Sequence, residues 1–424
     1  MIEQTVLPFK LAATEDSITA HAGLALLGEF AQGIGLEREL DRRLPEPGSA
    51  AGYRPSQFVL PLVLMLNGGG QSLEDLRELR EDEGLRRLLE WEEVPASDTT
   101  GDWLRRMGAG RGLKGLEQVN RALVHRQLRT EAQTEYTLDM DATVIEAEKE
   151  SAQWSYKGVK GYTPLVGHLA ENGLVVGDEF REGNASPGAG NLEFLKHCER
   201  QLPKGKRIGY FRSDSAAYQA DMFNYCELRK IRFAIGADLD EAVRGAIAAI
   251  PPEQWRPYQD GWMAETVHTM NKTEEAFRLV VIRRPAQGEL FEEGKERLTV
   301  IASNREEDAE ATVVWYNQRG ETSENRLKEL KLGVGMERMP CGQFEANAMF
   351  FRIGVLAYNL SRLFELQALP EGWARYQLRT LRWKLFLVAG KVVRHGGQAW
   401  LKVRGYLEEL FRGIRRRSWA FGQS

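Results

Sequence analysis

Two aspartates stand two positions apart in TLDMDATVIEAEKE, residues 137 to 150, inside a run whose other members favour strands. Side chains alternate across a strand, so Asp139 and Asp141 point to one side and Met140 to the other. Like charges that close repel unless water, protons or cations intervene. The pair is either the solvated end of a strand or part of a site for hard cations. A further acid, Asp214, ends YFRSD and precedes SAAY. That is where a strand opens into a loop, the end at which open α/β sheets build sites, although an aspartate there equally caps the next helix. Later, Glu324, Leu327, Lys328 and Lys331 are spaced i, i+3, i+4 and i+7. One helix face then carries an acid with two lysines below it, a pattern shared by any salt-bridged helix.

The elements that must position these residues follow from periodicity. Residues 17 to 135 read as mostly helical, with Gly68-Gly69-Gly70 breaking one apolar pattern and Ser97, Asp98 or Thr99 capping a basic helix. Short helices and tight turns suit a helix-turn-helix reader of DNA or any small helical domain. From Tyr136 the texture alternates between strands and helices, which implies a mixed sheet with helices on its faces. Residues 240 to 296, with Pro251-Pro252, Trp255 and Trp262, read as an inserted β-rich unit, and LTVIASN returns the chain to the sheet. Long helices and a basic tail follow. The expected divisions are 1–135, 136–239, 240–296, 297–365 and 366–424.

A chain of 424 residues exceeds the usual single-core size. No run of 18 apolar residues suggests a membrane span, the start MIEQTVLPFKLAATEDS lacks a signal core, and a cytoplasmic protein without membrane contact is expected. Cys198, Cys226 and Cys341 form no paired motif and are expected to be reduced and structural. The net charge is −4, but residues 372 to 424 hold twelve Lys/Arg against Glu408 and Glu409, which is +10 and leaves −14 for the rest. Residues 102 to 129 hold seven Lys/Arg against two acids. Such asymmetry fits a polyanionic partner, or simply solvated basic helices.

Together these residues resemble the DDE transposases of bacterial insertion sequences. The first acid of that class sits in an Asp-small-Thr motif, matched by Asp141-Ala142-Thr143, and the second ends a strand, matched by Asp214. The third lies in a Tyr-x2-Arg-x3-Glu-x6-Lys motif, matched by Tyr316, Arg319, Glu324 and Lys331. More narrowly, LDMDATVIEAEKE, YKGVKGYTPLVGHLAE, GDEFREGN, YFRSDSAAY and ENRLKELK resemble the 1380 group of these transposases, nearly end to end. One departure stands out: four residues, Gly320 to Ser323, separate Arg319 from Glu324 where the class has three. Either a small insertion precedes the helix or the alignment shifts and leaves Glu321 as a poor alternative; Glu324 fits its context far better.

The resemblance implies an α/β fold: a ribonuclease-H-like mixed-sheet core interrupted by a β-rich insertion between the second and third acids, with an α-helical N-terminal domain and a helical basic tail. It implies catalysis by Asp141, Asp214 and Glu324. Three converging carboxylates favour hard divalent cations, Mg²⁺ or in its place Mn²⁺. Two ions roughly 3.5 to 4 Å apart are expected, with Asp141 bridging them and Asp139 a further acid or, in a different register, the ligand itself. Tyr316, Arg319, Lys328 and Lys331 would hold phosphates, and Arg105, Arg106, Arg111 and Lys114 would meet the DNA. Trp255 and Trp262 would either stack on an unstacked base or form a small apolar cluster. The expected activity is cleavage at the element's terminal inverted repeats and strand transfer into target DNA, by cut and paste, from a homodimer in a bacterial, nucleoid-associated setting. A nuclease of the same fold that cuts without joining, and an inactive DNA-binding derivative, are the competing readings.

Overall fold

The computed structural model describes residues 7, 10–49, 52–285 and 296–423. The N-terminal reading at residues 1–6, 8 and 9, and the last stretch of the expected insertion, 286–295, lie outside the described residues.

Among the described residues nine strands form the main sheet: β1 (Glu135–Ala142), β2 (Leu165–Leu169), β3 (Val175–Glu179), β4 (Arg207–Ser213), β5 (Arg232–Gly236), β6 (Arg256–Tyr258), β7 (Gly261–His268), β8 (Phe277–Pro285) and β9 (Glu296–Ser303). Their order across the sheet is β6-β7-β8-β9-β5-β4-β1-β2-β3. β1, β4 and β5 run parallel and every other pairing is antiparallel. Alternation along β1 sorts its side chains as the sequence predicts. Tyr136, Leu138 and Met140 enter an apolar core with Phe194 and Leu195 of the helix Asn191–Arg200 and Met222 and Phe223 of the helix Ala220–Arg229. Thr137, Asp139 and Asp141 take the other face.

The segment expected to insert a β-rich unit does supply strands, and these extend the main sheet edge to edge. β9 pairs with β5 through Ser303 and Ala234, and β8, β7 and β6 follow outward. The helix Ala309–Asn317 packs on this extension, placing Val313 with Ala234, Val280, Ile282 and Ile301.

The helical remainder centres on Phe344–Gln367, of whose 24 residues 19 are buried. A helix apolar on nearly all sides belongs inside a core, and this one packs against Pro55–Gly68, Ser97–Gly108 and Gly112–Thr130. Its crossing with Ser97–Gly108 is close enough that a Cβ on Gly108 would fall 2.1 Å from the Glu345 carbonyl oxygen. One apolar cluster joins Leu24, Phe30, Leu64 and Trp103 to Phe350, Phe364, Phe411 and Ile414. The two ends of the chain therefore share a core, and the expected boundaries at 135 and 366 do not separate it.

The tail also departs from the helix expected for it. Gly390–His395 and Gln398–Lys402 form a hairpin that pairs with Ser17–Thr19. Its two-residue turn is Gly396-Gly397, with φ of +58° and +79°, the double left-handed turn that matches strand twist. The helix Gly405–Gln423 then closes against Ala22–Gly33. Cys198, Cys226 and Cys341 are all buried and free. Among the described residues no helix is long and apolar enough to cross a membrane.

Candidate functional site

The acid face of β1 lies under the segment that runs from Ala309–Asn317 into Asn325–Lys328, and its two aspartates meet different partners there. Asp139 is fully buried. It stands beside Arg212 of β4 in the parallel register, and the guanidinium donates from Nε to Oδ1 at 2.7 Å and from Nη2 to Oδ2 at 2.9 Å. Thr322 Oγ1 donates to Oδ2 at 2.6 Å. Both oxygens are thus engaged by the protein. Its neighbour on β4 is an arginine with a matching fork, and this buried ion pair sets Asp139 apart from Asp141.

Asp141 lies one pleat on, toward the C-terminal end of β1, with 11% of its side chain exposed. Arg319 Nη2 donates to Oδ1 and Ser323 Oγ donates to Oδ2. Burial pushes its carboxyl up to about 6; Arg319 and Ser323 oppose that rise, while Asp214 and Asp139 add to it. Asp214 follows β4, is exposed, and caps the next turn by accepting from the Ala216 N–H at 3.1 Å. Tyr316 Oη accepts from Arg319 Nη1 at 3.2 Å. Burial raises the Tyr316 phenol; Arg319 lowers it, and Asp214 and Asp141 raise it further. At the end of β5 a Cβ on Gly236 would stand 3.0 Å from Tyr316 Oη and 3.2 Å from the Ser215 nitrogen. Asp141, Asp214, Tyr316 and Arg319 therefore form one cluster at the C-terminal ends of β1, β4 and β5.

Glu324 stands apart from that cluster. The extra residue between Arg319 and Glu324 falls in a π-helical turn, Gly320–Glu324, followed by α-helical Asn325–Lys328 and a second π-helical turn, Glu329–Gly333. A π turn reaches back five residues, so it absorbs one residue without ending the helix. Ser323 consequently occupies the fourth place after Arg319 and meets Asp141, while Glu324 and Glu321 are exposed. Among the described residues no three acidic, histidine or cysteine side chains converge closely enough to hold a metal ion. Lys331 Nζ donates to the Val144 carbonyl at 2.8 Å, and burial lowers its pKa; Lys328 is exposed.

The outlying candidates fall into two places. Trp255 and Trp262 line one groove of ≈ 520 Å³ with Arg244, Pro252 and Arg283, and the Arg283 guanidinium lies 4.3 Å from the Trp255 ring centre. Arg105 is ion-paired with Asp102 and lines a cleft of ≈ 850 Å³ with Glu146, Lys149 and Arg338. That cleft joins the helix Ser97–Gly108 to the chain beyond β1. Arg106, Arg111 and Lys114 are exposed nearby in sequence. Sequence reasoning missed Arg212, Thr322 and Ser323. A signal existed for Arg212: alternation in YFRSD puts it on the face of Asp214, an arginine directly after the run IGYF.

Comparison with protein families matches residues 7–409 to "Transposase DDE domain group 1". No curated protein matches the chain. Among solved structures, a cryo-EM structure of the piggyBac transposase synaptic complex with hairpin DNA is similar: its TM-score is 0.50 at 10% identity, covering 88% of this chain and 83% of that one. That likeness concerns the fold, an α/β arrangement with a large mixed sheet. The family match spans nearly the whole chain, and the chain belongs to the DDE transposase family, domain group 1.

Proposed function

We propose that this protein is a DNA transposase that binds the terminal inverted repeats of its element, cleaves strands there and joins the freed 3′ ends to target DNA, by cut and paste. The observation that carries this reading is the pairing of Asp141 with Asp214 at the ends of adjacent parallel strands, beside Tyr316 and Arg319. The family supplies the reaction class, and the similar piggyBac structure, a synaptic complex with DNA, supports DNA as the partner.

The donor set suits a hard divalent cation. A buried carboxylate whose proton affinity is raised, with a second acid close enough to raise it further, gains from a positive charge with oxygen preference. Asp141, Asp214 and Glu324 would hold Mg²⁺ or Mn²⁺, two ions per site. When bound, such a pair supplies Lewis-acid stabilisation to the attacking and leaving oxygens of a phosphoryl transfer.

The chain's own residues do the rest. Asp141 would hold the cation as the carboxylate, with Arg319 and Ser323, its present hydrogen-bond donors, beside it. Arg319 and Tyr316 stand beside the acids, placed to hold a phosphate of the DNA backbone. Glu324, exposed at the end of the π turn, would supply the third carboxylate by moving toward Asp141 and Asp214. Lys331 holds the end of that helix to the chain after β1 through the Val144 carbonyl, so its first role is anchoring. Lys328, Arg105, Arg106, Arg111 and Lys114 would meet backbone phosphates, and the Trp255–Trp262 groove would take an unstacked base near the element end. Both ends must be processed together, which calls for a homodimer on paired ends.

The experiment incubates purified protein, Mg²⁺ and a labelled donor carrying the repeats that flank its coding region, and scores nicking and joining. Joined product in wild type and none in Asp141→Ala supports the reading; cleavage without any joining would leave a nuclease instead.

A further inference from the structure

The buried pair Arg212–Asp139 lies where the three elements that carry the proposed acids come together. Asp139 is on β1 two residues before Asp141, and Arg212 is on β4 two residues before Asp214. Arg212 is 1% exposed and each of its guanidinium nitrogens donates: Nε and Nη2 to the two Asp139 oxygens, Nη1 to the Trp315 carbonyl at 2.6 Å, and Nη2 also to Thr322 Oγ1 at 2.9 Å. It also lies 4.8 Å from the Trp315 ring centre. Trp315 belongs to the helix Ala309–Asn317 and Thr322 to the π turn that ends in Glu324. Thr322 returns a hydrogen bond to Asp139 at 2.6 Å.

We infer that Arg212 is a positioning residue: with Asp139 and Thr322 it fixes the helix bearing Glu324 in register over the strands bearing Asp141 and Asp214. This rests on the assignment of those acids to the chemistry. Only a planar fork with several fixed N–H directions can tie two strands, a backbone carbonyl and a helix hydroxyl at once; a lysine offers a single point charge. The π turn makes such a tie necessary. A helix with one residue too many has two near-equivalent ways to face the sheet, and the Thr322 contacts select the one in which Ser323 meets Asp141 and Glu324 follows it. Catalytic groups held by fully satisfied buried partners keep their geometry, and a misplacement of about 1 Å costs on the order of 100-fold in rate.

The decisive variant is Thr322→Val, which removes the link to the π turn at nearly constant shape and leaves the Arg212–Asp139 fork and the Trp315 link closed; Arg212→Lys is the companion. Wild type, Thr322→Val and Thr322→Ser are compared for thermal midpoint, kcat and KM of strand cleavage on a donor end, and Mn²⁺ binding by equilibrium dialysis. The expected result is a midpoint lowered by only a few degrees in Thr322→Val, kcat lowered roughly 10- to 100-fold with KM for DNA unchanged, weaker Mn²⁺ binding, and recovery of both midpoint and kcat in Thr322→Ser. Wild-type kcat and Mn²⁺ binding in Thr322→Val overturn the inference, as does a loss confined to KM. A wild type that neither binds Mn²⁺ nor cuts the donor end overturns the proposed function and this inference with it.

Discussion

Two regions of the same sheet face sit one pleat apart and are built on opposite terms. Around Asp139 both carboxylate oxygens are answered: Arg212, the Trp315 carbonyl and the Thr322 hydroxyl close a charged network with almost no water access, beside a buried His168 whose ring nitrogens have no hydrogen-bond partner among the described residues. Around Asp141 both oxygens also have partners, Arg319 and Ser323, but the group sits at the edge of solvent. Its carboxyl is pushed up to about 6, a second acid stands beside it in solvent, and Glu324 waits on the exposed side of its helix. A closed network holds geometry, while a carboxyl so raised at the edge of solvent keeps affinity in reserve for a ligand. The closed region is placed directly behind the open one.

The largest effect that could break this contrast is loss of one partner in the closed region. Arg212→Met leaves Asp139 buried and unpaired, and should cost about 3–5 kcal/mol of stability, whereas the double variant Asp139→Leu/Arg212→Met should recover most of it. Urea titration of the three proteins checks this; additive losses would show that the pair is not a unit.

Protonation separates the two regions by sign. Asp141 has a folded pKa of about 6 against an ordinary 3.8, so the folded state holds a proton that the unfolded chain has released between those values. Its contribution therefore declines as pH rises from about 4 to about 6, by at most about 3 kcal/mol, and Asp141→Asn should remove that slope. His168 of β2 pairs in register with Asp139 and is fully buried. Burial, then Arg326, lowers its pKa to about 3. The unfolded chain binds the proton first, so this contribution is complete above about pH 6.5 and fades as pH falls toward 3. His168→Phe should lose acid sensitivity in that window. Stability measured across pH 4–7 for both variants tests the opposition, and slopes of the same sign would contradict it.

The smallest stability change should come from the open region. Asp214→Asn removes an exposed carboxylate and should shift stability by no more than about 0.5 kcal/mol, while strand cleavage is lost. A large loss of stability would place Asp214 with the closed network instead.

Much of this site was legible in sequence because its signals are local. Alternation assigned Asp139 and Asp141 to one face, and the end of YFRSD placed Asp214 at a strand terminus. The Asp-Ala-Thr match ranked Asp141 above Asp139, but alternation could not tell which strand lies beside β1, so the Arg212 fork on Asp139 was not legible. The four-residue gap before Glu324 was visible, but a π turn has no residue signature of its own and depends on what the helix packs against. The hairpin in the tail did carry a signal, HGGQ between KVVRH and QAWLK, which the density of basic residues obscured. The shared core of the two chain ends had none, since contacts between residues some 300 positions apart, such as Asn67 with Ala357, leave no periodicity to read.

Three acids serving one reaction are measured most directly by strand joining. Wild type, Asp141→Ala, Asp214→Ala and Glu324→Ala are each given Mn²⁺ and a pre-nicked donor end with a free 3′-hydroxyl, and joined product is counted. Joining by wild type and its absence in all three variants, each with a native thermal midpoint, is the predicted result. Joining by Glu324→Ala at the wild-type rate would contradict the account and return the third acid to open question.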